Sequence, residues 1–191
     1  VDALVMCGGK GTRLDAAVEK PLYEVDGTPM VDRVLDALVA SGVDAVHAVV
    51  SPHAPGTREH LRERACDVIE TPGEGYVTDL GVALEADRIE RPVLTCVADL
   101  PLLAADAVDD VLATHAERAV DSLTVAVPAA LKRALGTSVD TTTTHEGRTV
   151  APVGLNVVGA GGTDGLVCSY DARLAVNVNR AGDAAVAERL A

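Results

Sequence analysis

The chain is predicted to fold as a doubly wound α/β protein, a mostly parallel sheet with helices on both faces. Three observations in the 191 residues predict it. Apolar runs of strand length alternate with stretches of helical period through residue 127. The run 92–98, PVLTCVA, lacks the alternation of a half-exposed strand and reads as a central strand of a parallel sheet. Gly8, Gly9 and Gly11 follow directly on the first apolar run, where the first strand-to-helix turn of such a sheet meets its ligand.

The elements follow in order. Residues 3–6 form a buried strand leading into the glycine loop. Residues 21–25 are a short extended piece closed by the turn Asp26-Gly27. A helix spans 29–40, because Met30, Val31, Val34, Leu35, Leu38 and Val39 recur at i, i+3 and i+4, and Ser41-Gly42 stops it. A strand at 45–50 ends at Ser51-Pro52, and a short polar helix at 57–64 takes Thr57 as its N-cap. A strand at 68–70 precedes the loop 71–75, and helix 76–86 follows. After strand 92–98 come a long helix at 104–119 and a strand at 122–127 ended by Pro128. The alternation then breaks. Residues 129–150 hold a short helix and the threonine run 141–144, predicted as a hairpin or a flexible excursion. Extended pieces at 153–158, 166–168 and 175–178 lead to a last helix at 181–190. With no internal repeat and no linker, residues 1–191 are expected to form one domain.

Charge excludes several functions. Against 29 acidic side chains stand 16 basic ones, a net charge of −13. That balance argues against non-specific binding to nucleic acid or anionic membrane surfaces, which needs Lys/Arg patches. No apolar run is long enough for a membrane helix, so no membrane insertion is expected. The start VDALVMCGG has no basic segment, reads as a strand rather than a targeting signal, and points to the cytoplasm. Phe and Trp are absent, so the core rests on Val, Ala and Leu. Three lysines stand against 13 arginines, and 18 Asp against 11 Glu, a composition typical of halophilic, salt-adapted proteins. In a chain that avoids lysine, each one needs a reason, and Lys10 and Lys20 both lie in the first 20 residues. Cys7, Cys66, Cys96 and Cys168 show no C-x-x-C pair and are expected to be four buried thiols; the five histidines show no zinc spacing.

Three motifs carry chemistry. Gly8-Gly9-Lys10-Gly11-Thr12-Arg13-Leu14 can turn backbone N–H groups toward one point, and Lys10 and Arg13 add positive charge for phosphate oxygens. It is neither a Walker loop nor the dinucleotide fingerprint, which needs Gly or Ala where Leu14 stands. In Glu19-Lys20-Pro21-Leu22, the proline fixes the chain after Lys20, whose ammonium is a point charge suited to phosphate. Asp99 closes the apolar run 92–98 at the end where such sheets bind ligands, and a carboxylate there can hold Mg2+ against phosphate.

This set resembles the nucleotidyltransferases of the sugar-phosphate and cofactor guanylyltransferase superfamily. Gly73-Glu74-Gly75-Tyr76 with Asp79, the segment PVGLNVV from Pro152, and Asn177-Val178-Asn179 continue the match. Within the superfamily, DALVMCGGKGTRL, GEGYVTDL and PVGLNVV are most similar to the archaeal adenosylcobinamide-phosphate guanylyltransferases. Leu14-Asp15 departs from the Met-Gly usual in molybdopterin guanylyltransferases. The resemblance implies a Rossmann-like nucleotidyltransferase fold, GTP as substrate and Mg2+ as cofactor. Gly8, Gly9, Lys10, Gly11, Thr12 and Arg13 would bind the triphosphate, with Lys10, Arg13, Lys20 and Asp99 as the catalytic set. Gly73, Gly75, Tyr76 and Asp79 would lie near guanine, and Gly154 to Asn156 near ribose or acceptor. Asp99 with Asn177 or Asn179 would hold the metal. The implied reaction moves GMP from GTP to a corrinoid phosphate with release of pyrophosphate. A molybdopterin, sugar-phosphate or polyol-phosphate acceptor, and a GTP-binding module without catalysis, are the alternatives. The absence of a His/carboxylate dyad fits a phosphate nucleophile, already largely dianionic at neutral pH and in need of no base.

Overall fold

The computed structural model describes residues 1–8, 14, 18–64 and 66–191. In chain order its strands are β1 (Ala3–Met6), β2 (Glu24–Val25), β3 (Thr28–Pro29), β4 (Val46–Val50), β5 (Asp67–Glu70), β6 (Val93–Val97), β7 (Ser122–Pro128), β8 (Thr143–His145), β9 (Arg148–Val158) and β10 (Asp164–Cys168). The main sheet has the order β10-β7-β9-β6-β1-β4-β5, with β8 paired to β9. β1 runs parallel to both β4 and β6, β4 to β5, and β7 to β10. β9 is antiparallel to β6 and β7. The predicted doubly wound, mostly parallel sheet is therefore present. One detail differs: β6 is central, but only β1 is its parallel neighbour. The long β9, arriving from a hairpin with β8, fills the other side.

The helices are α1 (Met30–Val39), α2 (Pro55–Glu63), α3 (Tyr76–Leu84), α4 (Ala105–Glu117), α5 (Ala129–Leu135) and α6 (Ala181–Leu190). Strand alternation sorts them onto two faces. Ala3 and Val5 of β1 join Val31, Val34 and Leu38 of α1, Leu61 of α2 and Val108 of α4 in one cluster. Leu4 and Met6 join Ala83, Leu80 and Leu84 of α3 in another. A third cluster unites Leu14, Val25, Met30, Leu102, Val176, Val178 and three residues of α6, so the end of the chain packs beside the segment that follows β6.

Several local expectations are corrected. Residues 21–25 are not one extended piece. Lys20–Leu22 form a 3-10 turn, and β2 pairs with β3 across Asp26 (φ 51°) and Gly27 (φ 71°), the positive φ pair of a tight Asp-Gly hairpin. The second helix starts at Pro55, not at Thr57. Its cap comes from outside it: the Glu19 carboxylate accepts from Gly56 N–H (2.9 Å) and Thr57 N–H (2.6 Å). The segment 129–150 resolves into α5, closed by Gly136 in the left-handed region (φ 83°), and the β8–β9 hairpin. Residues 175–178 join no ladder; a 3-10 turn at Ala172–Ala175 leads into chain held by side chains. The helices predicted at 76–86 and 104–119 end early, at Leu84 and Glu117. Cys7 and Cys96 are buried, whereas Cys66 and Cys168 are only half-buried; all four are free thiols.

Candidate functional site

A cavity of about 360 Å³ opens at the C-terminal ends of β1 and β6. Gly8 and Asp99 reach it from those strands, Lys20 and Pro21 from the 3-10 turn, and Gly73, Gly75, Tyr76 and Asp79 from the loop after β5 and the start of α3. The structure thus brings together expected residues that are up to 91 positions apart, Gly8 and Asp99. Gly9, Lys10, Gly11, Thr12 and Arg13 lie outside the described residues.

Asp99 is the hub. Lys20 Nζ donates to its Oδ2 at 2.5 Å and to Asn179 Oδ1 at 2.7 Å. Asn177 Nδ2 donates to Asp99 Oδ1 at 3.0 Å, and Val178 N–H to the Asp99 carbonyl at 3.0 Å. The sequence Val176-Asn177-Val178-Asn179 explains the arrangement. In extended chain, alternate residues face opposite ways. Val176 and Val178 are fully buried in the α6 cluster, which leaves both asparagines for the site. Asp99 Oδ2 and Asn179 Oδ1 already converge on a cation, the Lys20 ammonium, and hard oxygen donors of this kind suit Mg2+. Among the described residues no group of three or more His, Cys, Asp or Glu could hold a metal. Mg2+ does not need one, since it binds through one or two carboxylates and substrate phosphates.

The loop after β5 is braced from two sides. Gly73 N–H donates to Asp79 Oδ1 at 2.8 Å, and the Gly73 carbonyl lies 3.2 Å from His53 Nε2. Gly73 (φ 77°) and Gly75 (φ 115°) occupy conformations that side chains disfavour. Asp79 is buried and serves as this brace. Burial raises the Tyr76 phenol above its ordinary pKa, opposed by a hydrogen bond with Thr95. Thr95 also receives Asn156 Nδ2 at 3.4 Å, so Asn156 stands on the sheet behind Tyr76 and outside the lining of the cavity. Gly154 lines a second cavity of about 210 Å³, together with Asp99, Lys132, Asp140, Asn177 and Asn179. Its φ is 79°, and a Cβ there would come within 2.6 Å of Val97 Cγ2.

Sequence reasoning missed three residues. His53 had no motif. Glu19 was read only as a neighbour of Lys20, yet it ties that segment to α2. Burial raises the Glu19 carboxyl, but the bonds from the Thr57 hydroxyl and the Thr57 and Gly56 N–H groups outweigh it and hold the pKa below the ordinary value. Lys132 is 4% exposed and donates to the Ala175 carbonyl (3.0 Å) and Asn177 Oδ1 (3.1 Å). Burial lowers its pKa, opposed by the charges of Asp183, Asp99 and Asp140. The signal that could have found it was already visible: it is the third of only three lysines.

The family model of the MobA-like NTP transferase domain matches residues 3–155. The chain belongs to this family. Among curated relatives, the adenosylcobinamide-phosphate guanylyltransferase of Methanocaldococcus jannaschii is 37% identical over 105 residues, 52% of each chain. The bifunctional protein GlmU of Heliobacterium modesticaldum is 33% identical over 115 residues, 59% of this chain and 25% of that protein. The matched segment therefore spans about half of the first relative and a quarter of the second. A transferase structure from Thermus thermophilus aligns with TM-score 0.61 and 26% identity over 83% of this chain and 64% of that one. A structure designated a glucose-1-phosphate thymidylyltransferase from Bacillus anthracis has the same fold, with TM-score 0.74 at 10% identity over 99% and 94% of the chains. Among the described residues no helix is long and apolar enough to cross a membrane.

Proposed function

We propose that this MobA-like domain is a nucleotidyltransferase that moves GMP from GTP to adenosylcobinamide phosphate, giving adenosylcobinamide-GDP and pyrophosphate. The observation that carries the reading is the convergence of Lys20, Asp99 and Asn179 at the strand ends beside the cavity. The choice of acceptor draws support from the 37% identity to the M. jannaschii protein.

The acceptor phosphate is the nucleophile, and its second ionisation near pH 6 leaves it mostly dianionic at neutral pH. The chain's task is then to orient two anions and offset their charge. Among the described lining residues, Lys20 is the one Lys or Arg, and the same lining carries two carboxylates, Asp79 and Asp99, the second bonded to Lys20. Lys20 would follow the phosphates of GTP, and Lys10 and Arg13 of the glycine loop would supply the remaining positive side chains. Asp99 and Asn179 would hold Mg2+, which when bound supplies charge neutralisation at the phosphate oxygens. Gly73, Gly75 and Tyr76 would lie along the nucleoside, with Asp79 and His53 fixing their loop.

The test is pyrophosphate release with Mg2+, each of the four NTPs and separate acceptors in molar KCl. GTP with adenosylcobinamide phosphate is expected to give the highest rate. Release with a sugar phosphate, a polyol phosphate or molybdopterin instead would keep the reaction and replace the acceptor. Tight GTP binding with no release for any acceptor would leave only a GTP-binding module and overturn the proposal.

A further inference from the structure

Lys132 has no part in the chemistry above, although burying an ammonium is costly. Its position shows what it does. The Asn177 side chain uses all of its hydrogen-bonding atoms: Nδ2 donates to Asp99 Oδ1 (3.0 Å) and to the Val153 carbonyl (2.9 Å), and Oδ1 accepts from Lys132 Nζ (3.1 Å). An amide can be turned end for end, but here each partner dictates the orientation. A carboxylate and a carbonyl only accept, and an ammonium only donates. A flipped amide would set its NH2 against the Lys132 ammonium and its oxygen against Asp99.

We infer that Lys132 is a positioning residue for the metal-binding carboxylate, acting through Asn177. It claims the Asn177 oxygen, so the NH2 must face Asp99 and pin Oδ1. The other oxygen, Oδ2, is then the one directed at Lys20 and toward Asn179. Asn177 on this account is a brace, and Asn179 supplies the amide oxygen of the metal site. The rest of the neighbourhood is built to hold Lys132 still. Its second acceptor, the Ala175 carbonyl, also receives the Thr137 hydroxyl at 2.9 Å. This gives α5, which the sequence left without a role, a link to the site.

The inference rests on Asp99 as metal ligand under the proposed function, and two readouts separate the failure of one from the failure of the other. The first is independent of activity. In the 15N-labelled protein without ligands, the Asn177 side-chain amide protons, assigned by their loss in Asn177→Ala, are expected to exchange with solvent at least about tenfold more slowly than a free amide. In Lys132→Met, close in shape but unable to donate, they are expected to shift and lose that protection. The second readout is Mn2+ binding by electron paramagnetic resonance with GTP present, alongside steady-state kinetics. Lys132→Met and Asn177→Ala are each expected to weaken Mn2+ binding and lower kcat by about fivefold to tenfold, with KM for GTP within twofold, and the double variant to be no worse than either single, because the two act in series.

Unprotected Asn177 protons in the unaltered protein, or additive losses in the double variant, would overturn the inference. So would Lys132→Met with unchanged Mn2+ affinity and kcat. If Lys132→Met does not fold, as its melting curve shows, Asn177→Ala carries the test alone: native Mn2+ affinity and kcat in that variant overturn the inference, and their joint loss supports it. If the unaltered protein binds no Mn2+ with GTP, the proposed function fails, while the exchange experiment still decides the orientation of Asn177.

Discussion

Lys20 places an ammonium between two hard oxygens, Asp99 Oδ2 and Asn179 Oδ1, and a divalent ion seeks the same pair. Under the proposed function the two cations would compete, and a bound triphosphate would resolve the competition by offering Lys20 other oxygens. Lys20→Met is therefore expected to have opposite effects on two measurements. Turnover falls by roughly tenfold or more, because a charge on the phosphates is lost. Affinity for free Mn2+ in the absence of nucleotide rises by about threefold or more, because the seat is no longer taken. Unchanged or weaker Mn2+ binding in Lys20→Met, read by electron paramagnetic resonance, would remove this account. Asp99→Ala should lower both quantities. Gly154 is a different case. The family resemblance implies a ribose or acceptor contact for it, and its own geometry independently demands glycine, with φ at 79° and Val97 Cγ2 at 2.6 Å from any Cβ. Gly154→Ala is expected to cost about 2–3 kcal/mol in urea unfolding, from backbone strain plus overpacking. Lys20 and Asp99, which meet at the cavity, were legible in the sequence because charge next to proline or at a strand end has a reason. His53 and Glu19 were not, because neither stands out by type or neighbours and each acts on a residue at least 20 positions away; Lys132 stood out by its rarity, but its partner Asn177, 45 positions on, did not show.

The elements themselves were mostly legible, and their misreadings share one physical origin. Short apolar runs placed β1, β4, β6 and β7, and helical periodicity placed α1, because burial is written into the local pattern. Periodicity cannot see a cap supplied from another part of the chain, and α2 shows this. Ser/Thr capping rules chose Thr57, whereas Glu19 binds the first N–H groups and the Thr57 hydroxyl as well. Nor can it separate a strand from extended chain held by side chains, which is why periodicity marks 175–178 as extended without its partners; the family resemblance implies Asp99 beside it, and nothing in the pattern points to Lys132. The Glu19 cap has a pH signature. Its carboxyl pKa is depressed in the folded protein, so its contribution is fully present above the ordinary carboxyl range and is lost as pH falls through the depressed folded value. Glu19→Gln is expected to lower stability by about 0.5–2 kcal/mol at pH 7, with the gap to the unaltered protein closing below about pH 4. Denaturant melts of both proteins across that range measure it, and a gap that stays constant with pH would mean that the charge plays no part. Because Glu19 precedes Lys20, the same variant should also raise KM for GTP.

At the scale of the whole molecule the dominant fact is the charge of −13. Even if every one of the 16 basic side chains found an acidic partner, 13 of the 29 acids would remain unopposed. Among the described residues several ion pairs are exposed on both sides, Arg62–Glu70 at 55% and 58% and Arg173–Asp106 at 40% and 68% among them, and water and salt screen such pairs until they contribute little. Salt weakens those pairs and also the repulsion among the excess carboxylates. Repulsion should win, because it sums over many carboxylates spread across the surface, whereas each pair acts alone. The screening length falls from about 10 Å at 0.1 M to about 3 Å at 1 M, so most of the change belongs to the first few hundred millimolar. The melting temperature is therefore expected to rise with KCl, steeply up to about 0.5 M and slowly beyond. A melting temperature that falls with KCl would mean that the pairs outweigh the repulsion; a rise that stays linear to molar salt would point instead to general exclusion of salt from the surface. The same field acts on substrate. A polyanion approaching an acidic protein meets a repulsive potential, which under the proposed function the positive side chains of Lys10, Arg13 and Lys20 would oppose. The rate of GTP association should therefore increase with KCl over that same low range, the reverse of what a basic nucleotide-binding protein shows. Stopped-flow measurement with a fluorescent GTP derivative would decide it, and a rate that fell with salt would mean that the local positive cluster governs the approach rather than the charge of the whole.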